Sequence, residues 1–206
     1  MKVVLASASP RRRELLELVG IKHEVCPADV DESVIAGESP PAYVERLARE
    51  KARAVAPRFP GAIIIAADTT VVLGDDILGK PADDADAVRM LARLSAHTHE
   101  VCTGIAAEYD GRVASAVERV AVTFRSLSPR EISEYVATRE PMDKAGAYGI
   151  QGWGASIVER VDGDYFSVMG LGLRRLVALL ASVGVEYRFA AGLKPLPDYP
   201  STRIPE

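Results

Sequence analysis

Apolar runs and amphipathic stretches alternate through the first part of the chain, and paired strand patterns dominate the second. Residues 2–6 read as a buried strand ending at Ser7-Ala8-Ser9-Pro10. That tetrapeptide is a helix start, with Ser9 as the cap and Pro10 suited to the first turn. Leu15, Leu16, Leu18 and Val19 supply this helix with an apolar face, and Gly20 ends it. A second strand is predicted at 21–26, and an acidic, irregular segment at 27–38. A second helix runs from about Pro40 to Ala56, with Tyr43, Val44, Leu47, Ala48 and Val55 on its apolar face and Pro57 as its stop.

Ile63-Ile64-Ile65-Ala66-Ala67 is a continuous apolar run that ends at Asp68, the pattern of a central strand covered on both faces. Val71-Val72-Leu73 continues beyond it and Gly74-Asp75-Asp76 turns. A helix is predicted from Asp83 to Leu94. Residues 99–109 and 112–125 read as two long strands joined by Asp110-Gly111, a hairpin signal. Ser128-Pro129-Arg130-Glu131 has the form of a capping box that opens another helix. Gly146 to Gly154 is a glycine-rich loop. A further hairpin is predicted from 155–161 and 164–168, then a helix from about Gly172 to Ser182. From residue 190 the chain is rich in proline and reads as a loose tail. Early alternation of helices and strands with later hairpins predicts an α/β fold with a mixed sheet. The expected organisation is one domain over 1–189 and a tail over 190–206.

Composition narrows the function more than the fold. With 48% of its 206 residues hydrophobic, the chain can bury a sizeable core. A formal net charge of −4 argues against a duplex nucleic-acid binder, which carries a broad basic face. The basic residues cluster locally, which suits a small anionic ligand. The stretch Val3 to Ala6 is too short for a signal-peptide core, and no run is long enough to cross a membrane, so a cytoplasmic protein is expected. Two cysteines, Cys26 and Cys102, cannot build a multi-bridge framework and read as reduced, buried thiols. His23-x-x-Cys26 and His97-x-His99-x-x-Cys102 invite a zinc reading, but strand alternation points His99 and Cys102 to opposite sides.

Several groups carry candidate chemistry. Backbone N–H groups at a helix start attract anions, and arginine matches phosphate oxygens with paired donors, so Ser7 to Arg13 form a candidate phosphate cradle. The same residues also read as a solvated basic helix start. The helix dipole repels arginines there, so their presence calls for an external anion or a carboxylate partner. Asp68, after its apolar run, sits where open α/β sheets place ligands, as a metal ligand, a base on water or an ordinary turn residue. Lys51 and Lys80 are candidates to neutralise phosphate. Asp29, Asp31, Glu32 and Glu38 include a carboxylate that could join Asp68 around a divalent ion. In Asp143–Gly152, glycines permit close approach of a ligand and Gln151 offers both a donor and an acceptor.

Taken in order, the motifs resemble the Maf family of nucleotide pyrophosphatases over residues 2 to about 186. The landmarks are Ser7-Ala8-Ser9-Pro10-Arg11-Arg12, Ala67-Asp68-Thr69, Gly79-Lys80-Pro81, His99 to Gly104, Asp143 to Gly152, and Gly163-Asp164-Tyr165 with Val168 to Leu171. The resemblance implies an elongated, twisted mixed sheet with flanking helices, similar to inosine-triphosphate pyrophosphatases, with two lobes around a cleft. It also implies hydrolysis of a nucleoside triphosphate to the monophosphate and pyrophosphate with a divalent cation, Mg²⁺ or Mn²⁺, and a homodimer. On that basis Asp68 is the general base and a metal ligand beside Glu32. Ser7, Arg12, Lys51 and Lys80 contact phosphates. Arg11, Thr69 and Gln151 choose the base and match the dTTP/UTP branch. CTP and modified pyrimidine nucleotides are further candidate substrates, in a house-cleaning role linked to division arrest. The alternatives are a 7-methyl-GTP pyrophosphatase, whose branch carries an aromatic, Gln and Glu at those places, and a non-catalytic nucleotide sensor regulating septum formation. Gly172 departs from the family, which has proline there, and the tail has no counterpart.

Overall fold

The computed structural model describes residues 1–196. Two compact units divide the chain. The first comprises residues 1–68, 103–118 and the described residues from Gly170 onward, and the second comprises 69–102 and 119–169. Strands β1 (Val3–Leu5), β2 (Glu24–Val25), β3 (Ile63–Leu73), β4 (Asp76–Leu78), β5 (Thr98–Tyr109), β6 (Arg112–Phe124) and β7 (Val158–Asp162) form one sheet in the order β2-β1-β3-β5-β6-β7, with β4 paired to β3. β1 runs parallel to β2 and β3, whereas β4 and β7 pair antiparallel to β3 and β6, so the sheet is mixed as expected. The β5–β6 turn places Asp110 and Gly111 at φ 50° and 76°, the positive pair that a two-residue hairpin of this hand requires.

In the first unit, helix α1 (Pro10–Leu18) ends in a Schellman arrangement, in which Gly20 N–H bonds to Glu17 and Ile21 N–H to Leu16. Helix α2 (Pro40–Val55) buries Val44, Leu47, Ala48, Lys51, Ala52 and Val55, a helical stripe. Small side chains hold this helix close to the sheet: Ala48 and Ala52 pack with Ala6, Ala66 and Ala106. Gly104 on β5 faces the backbone of Val44, and a Cβ there would overlap the Val44 carbonyl. Gly104→Ala must therefore push α2 outward. Overpacking of this kind typically costs about 1–3 kcal/mol. We expect a lowered urea midpoint with an unchanged slope, and an unchanged midpoint would show that the helix yields without strain.

The second unit has its own core around Phe124, Tyr148, Leu91 and Ile132. Here α3 (Asp84–Leu94) is capped by Asp83, and α4 (Pro129–Ala137) opens with the expected capping box between Ser128 and Glu131. His99 is buried edge-on against Phe124 and Tyr148, and its Nε2 pairs with the Tyr148 hydroxyl at 2.8 Å. Burial pushes its titration down to about 4, which keeps the ring neutral. Cys102 is a buried free thiol whose titration is pushed up to about 12 by burial and by Glu100.

Four expectations are corrected. Ser9 makes no side-chain cap; Ser7 Oγ instead accepts from Ser9 N–H at 3.2 Å. The strand predicted at 21–26 is confined to Glu24–Val25, both exposed. Residues 164–168 are not a strand. Asp164 accepts from Phe166 and Ser167 N–H and from the Ser167 hydroxyl, which starts a short helix, α5 (Tyr165–Met169). The tail expected from residue 190 begins as structure. After helix α6 (Leu173–Ser182), β8 (Val185–Arg188) and β9 (Gly192–Pro195) pair as an antiparallel hairpin, with Leu193 buried against Tyr187 in register. Residues 197–206 lie outside the described residues. Among the described residues no helix is long and apolar enough to cross a membrane.

Candidate active site

Ser7, Arg12, Lys51 and Asp68 are all buried in the first unit, where an unpaired polar group is expensive. Backbone register brings them together. β1 pairs Leu5 with Ile65, and Ala6 N–H continues the ladder to the Ile65 carbonyl at 2.8 Å. Ser7 therefore leaves the strand beside Ala67 and Asp68. Asp68 is not at the end of its strand, as the sequence suggested. The β-branched residues Thr69 to Val72 carry β3 on to Leu73, which leaves the carboxylate in mid-strand. Side chains alternate along β3, so Asp68 shares a face with Ile64 and Ala66, which pack in the cluster containing Ala48 and Ala52 of α2. Lys51 lies one turn beyond Leu47 on that buried stripe.

The result is a charge group of two carboxylates and two cations. Lys51 Nζ is 2.6 Å from Asp68 Oδ1 and 2.6 Å from Glu32 Oε1, so both carboxylates share one cation. Arg12 is held by oxygens of the protein itself. Its Nε donates to the Gly170 carbonyl at 2.9 Å, and Nη1 donates to Ser7 Oγ at 3.0 Å and to the Ala67 carbonyl at 2.6 Å. Burial lowers the Arg12 titration, with Asp68 and Glu32 opposing that effect and Arg11 adding to it. The conflict between a helix N-terminus and an arginine is thus met by nearby carboxylates and carbonyls. Arg11, the preceding residue of α1, is half-buried.

Glu32 is exposed, yet its loop is pinned from α2. Tyr43 donates its hydroxyl to the Glu32 carbonyl at 2.9 Å, and Arg46 binds both oxygens of Glu38 and the Ser33 carbonyl. Burial, then the charges of Asp68 and Glu32, push the Tyr43 hydroxyl up to about 12, so it remains a donor. Of the four acidic candidates at 29–38, only Glu32 reaches Lys51; Asp31 accepts from Ser33 N–H and Glu38 is engaged by Arg46.

Thr69, Lys80 and Gln151 belong to the second unit. Thr69 is half-buried, while Lys80 and Gln151 are exposed. The segments carrying the last two are joined by a bond from Gly146 N–H to the Gly79 carbonyl at 3.0 Å, where Gly146 adopts φ 69° and packs on Val71.

A family model described as Maf-like protein matches residues 2–183. The chain belongs to the Maf-like family. Among relatives of this Maf-like chain, one from Myxococcus xanthus is 54% identical over 184 residues, covering 89% of this chain and 93% of its own. Another, from Symbiobacterium thermophilum, is 50% identical over 183 residues, with 89% and 94% covered. Both are named dTTP/UTP pyrophosphatase. Among solved structures, the Ham1 protein of Staphylococcus aureus aligns with a TM-score of 0.47 and 17% identity, over 77% of this chain and 80% of that one.

The Maf-like motifs omit some of what organises the site. Tyr43 and Arg46 pin the Glu32 loop, and the carbonyls of Ala67 and Gly170 hold Arg12. Tyr43 carried a signal, as an aromatic with a polar tip on a buried helix face beside an acidic loop. Backbone carbonyls carry none, because any residue supplies one.

Proposed function

We propose that this Maf-like chain hydrolyses nucleoside triphosphates, dTTP and UTP above others, to the monophosphate and pyrophosphate. The observation that carries the proposal is the buried group Asp68, Lys51 and Arg12 with Glu32, in a chain about half identical to named dTTP/UTP pyrophosphatases across nearly their whole length. Asp68 takes the proton from a water that attacks the α-phosphorus, and the bond to the pyrophosphate leaving group breaks. Lys51 and Arg12 offset the charge of the phosphates, so catalysis is chiefly positioning and electrostatics. Ser7 orients Arg12 through its hydroxyl. Lys80 enters as a phosphate contact, and Arg11, Thr69 and Gln151 as base-choosing residues, through the family motifs alone.

A divalent cation fits the donor set. Asp68 and Glu32 already share one cation, and Mg²⁺ is commonly held by one or two carboxylates together with substrate phosphates. When bound it would neutralise phosphate charge and make water easier to deprotonate. No group of three or more His, Cys, Asp or Glu converges among the described residues, so Asp68 and Glu32 would hold the ion together with substrate phosphates and water.

The test is pyrophosphate release by the purified protein with dTTP, UTP, CTP and 7-methyl-GTP in parallel. We expect dTTP and UTP to give the highest kcat/KM, and Arg11→Ala to change their ranking more than their sum. Faster turnover of 7-methyl-GTP would reassign the branch, and no turnover of any of the four would reduce the chain to a binder.

A further inference from the structure

The segment carrying Gln151 is a short exposed arch between two buried feet. Residues 146–150 are buried, Gln151 to Trp153 are exposed, and Gly154 is buried again. Trp153 exposes 71% of its surface. Both feet end on one pair of side chains. The Tyr135 hydroxyl accepts from Gly149 N–H at 3.1 Å and donates to Glu140 Oε1 at 2.8 Å. Glu140 Oε2 accepts from Trp153 N–H and Oε1 from Gly154 N–H, each at 2.9 Å. Hydrogen bonds to an ionised acceptor are roughly twice as strong as neutral ones. Burial raises the Glu140 titration, but the bonds from Gly154, Trp153 and Tyr135 outweigh it and hold the carboxyl below its ordinary range. The glycines make the clamp tight. A Cβ at Gly152 would overlap the Glu140 carboxylate, and one at Gly154 would overlap the Gly149 carbonyl.

We propose that Tyr135 and Glu140 are positioning residues for base selection, fixing the arch so that Gln151 presents its amide in one orientation. The inference rests on the reading of Gln151 as a base-contacting residue. A carboxamide offers a donor and an acceptor side by side. Uracil and thymine present an N–H donor beside a carbonyl, whereas cytosine presents a ring acceptor beside an amine. One orientation of the amide matches the first pair and the flipped orientation matches the second. On a loose arch Gln151 serves both; on a clamped arch it selects.

The experiment measures kcat/KM for dTTP and CTP in the unsubstituted protein and in Gln151→Ala, Glu140→Gln and Tyr135→Phe. Small displacements of positioning groups change rates by up to about 100-fold. Glu140→Gln is expected to lower the dTTP-to-CTP ratio roughly 10-fold, carried mainly in the KM of dTTP, and Tyr135→Phe to lower it less. A merely structural role would lower the melting temperature and scale both substrates together. Trp153 is the sole tryptophan, so its fluorescence anisotropy reports the arch directly and should fall in Glu140→Gln. If Glu140→Gln does not fold, Tyr135→Phe decides. An altered ratio in Gln151→Ala with unaltered ratios in the clamp variants overturns this inference alone. An unaltered ratio in Gln151→Ala overturns the reading of Gln151 and the inference with it.

Discussion

Asp68→Asn is expected to lower kcat for dTTP by about 10²–10⁴-fold, the usual effect of losing a general base. The change is nearly isosteric, and an amide oxygen can still accept from Lys51 Nζ, which lies 2.6 Å from Oδ1. Contact geometry therefore survives while charge and basicity are lost. Breaking a buried ion pair from one side typically costs about 3–5 kcal/mol. Here Lys51 keeps Glu32, whose side chain is 55% exposed, so the stability loss should fall below that range. Urea unfolding and dTTP hydrolysis, measured on the same preparation, separate the two effects. A titration with Mg²⁺ separates base from metal ligand, because a pure ligand defect recovers at high metal and a missing base does not. Near-normal turnover at saturating dTTP and at every Mg²⁺ concentration would remove Asp68 from both roles.

The parts of this site that were legible in the sequence are those where a residue type conflicts with its surroundings. Asp68 ends an apolar run, and arginines crowd a helix N-terminus that repels them. Lys51 carried a stronger signal than its neighbours suggested, since it falls on the buried stripe of α2 between Leu47 and Val55. A lysine on such a stripe needs a buried partner, which is what Asp68 supplies. The mixed sheet and the β5–β6 hairpin followed from apolar runs and the Asp110-Gly111 turn. Boundaries failed where a local hydrogen bond or strand propensity overrode pattern. Asp164 turned a predicted strand into α5 by capping it, and Thr69 to Val72 extended β3 past Asp68. The β8–β9 hairpin was hidden because Gly192 and proline-rich sequence resemble a tail, although Val185 and Leu193 are both buried. The role of Glu140 was also illegible, because its partners are the N–H groups of Trp153 and Gly154.

Arg12→Ala carries the second large effect, and its first consequence is structural. The guanidinium bridges α1, β3 and the Gly170 turn through bonds to Ser7, Ala67 and Gly170. Removing it takes one donor from each of the Ala67 and Gly170 carbonyls and a cation from beside Asp68. Losing a buried charged partner costs about 3–5 kcal/mol. For a chain of this size each kcal/mol shifts the melting temperature by roughly 2–4 °C, so a drop on the order of 10 °C is expected. Turnover should then be measured well below that temperature, where the folded fraction is intact. There we expect kcat/KM to fall for dTTP and UTP alike, because a phosphate contact is blind to the base. Arg12→Lys tests the geometry: one ammonium cannot reproduce a planar fork with donors to three separate oxygens. It should restore part of the stability and little of the turnover. Should Arg12→Ala melt at the parental temperature, the carbonyl bonds contribute nothing net. Should it instead change the ratio of dTTP to UTP, Arg12 reads the base and its division of labour with Arg11 is wrong.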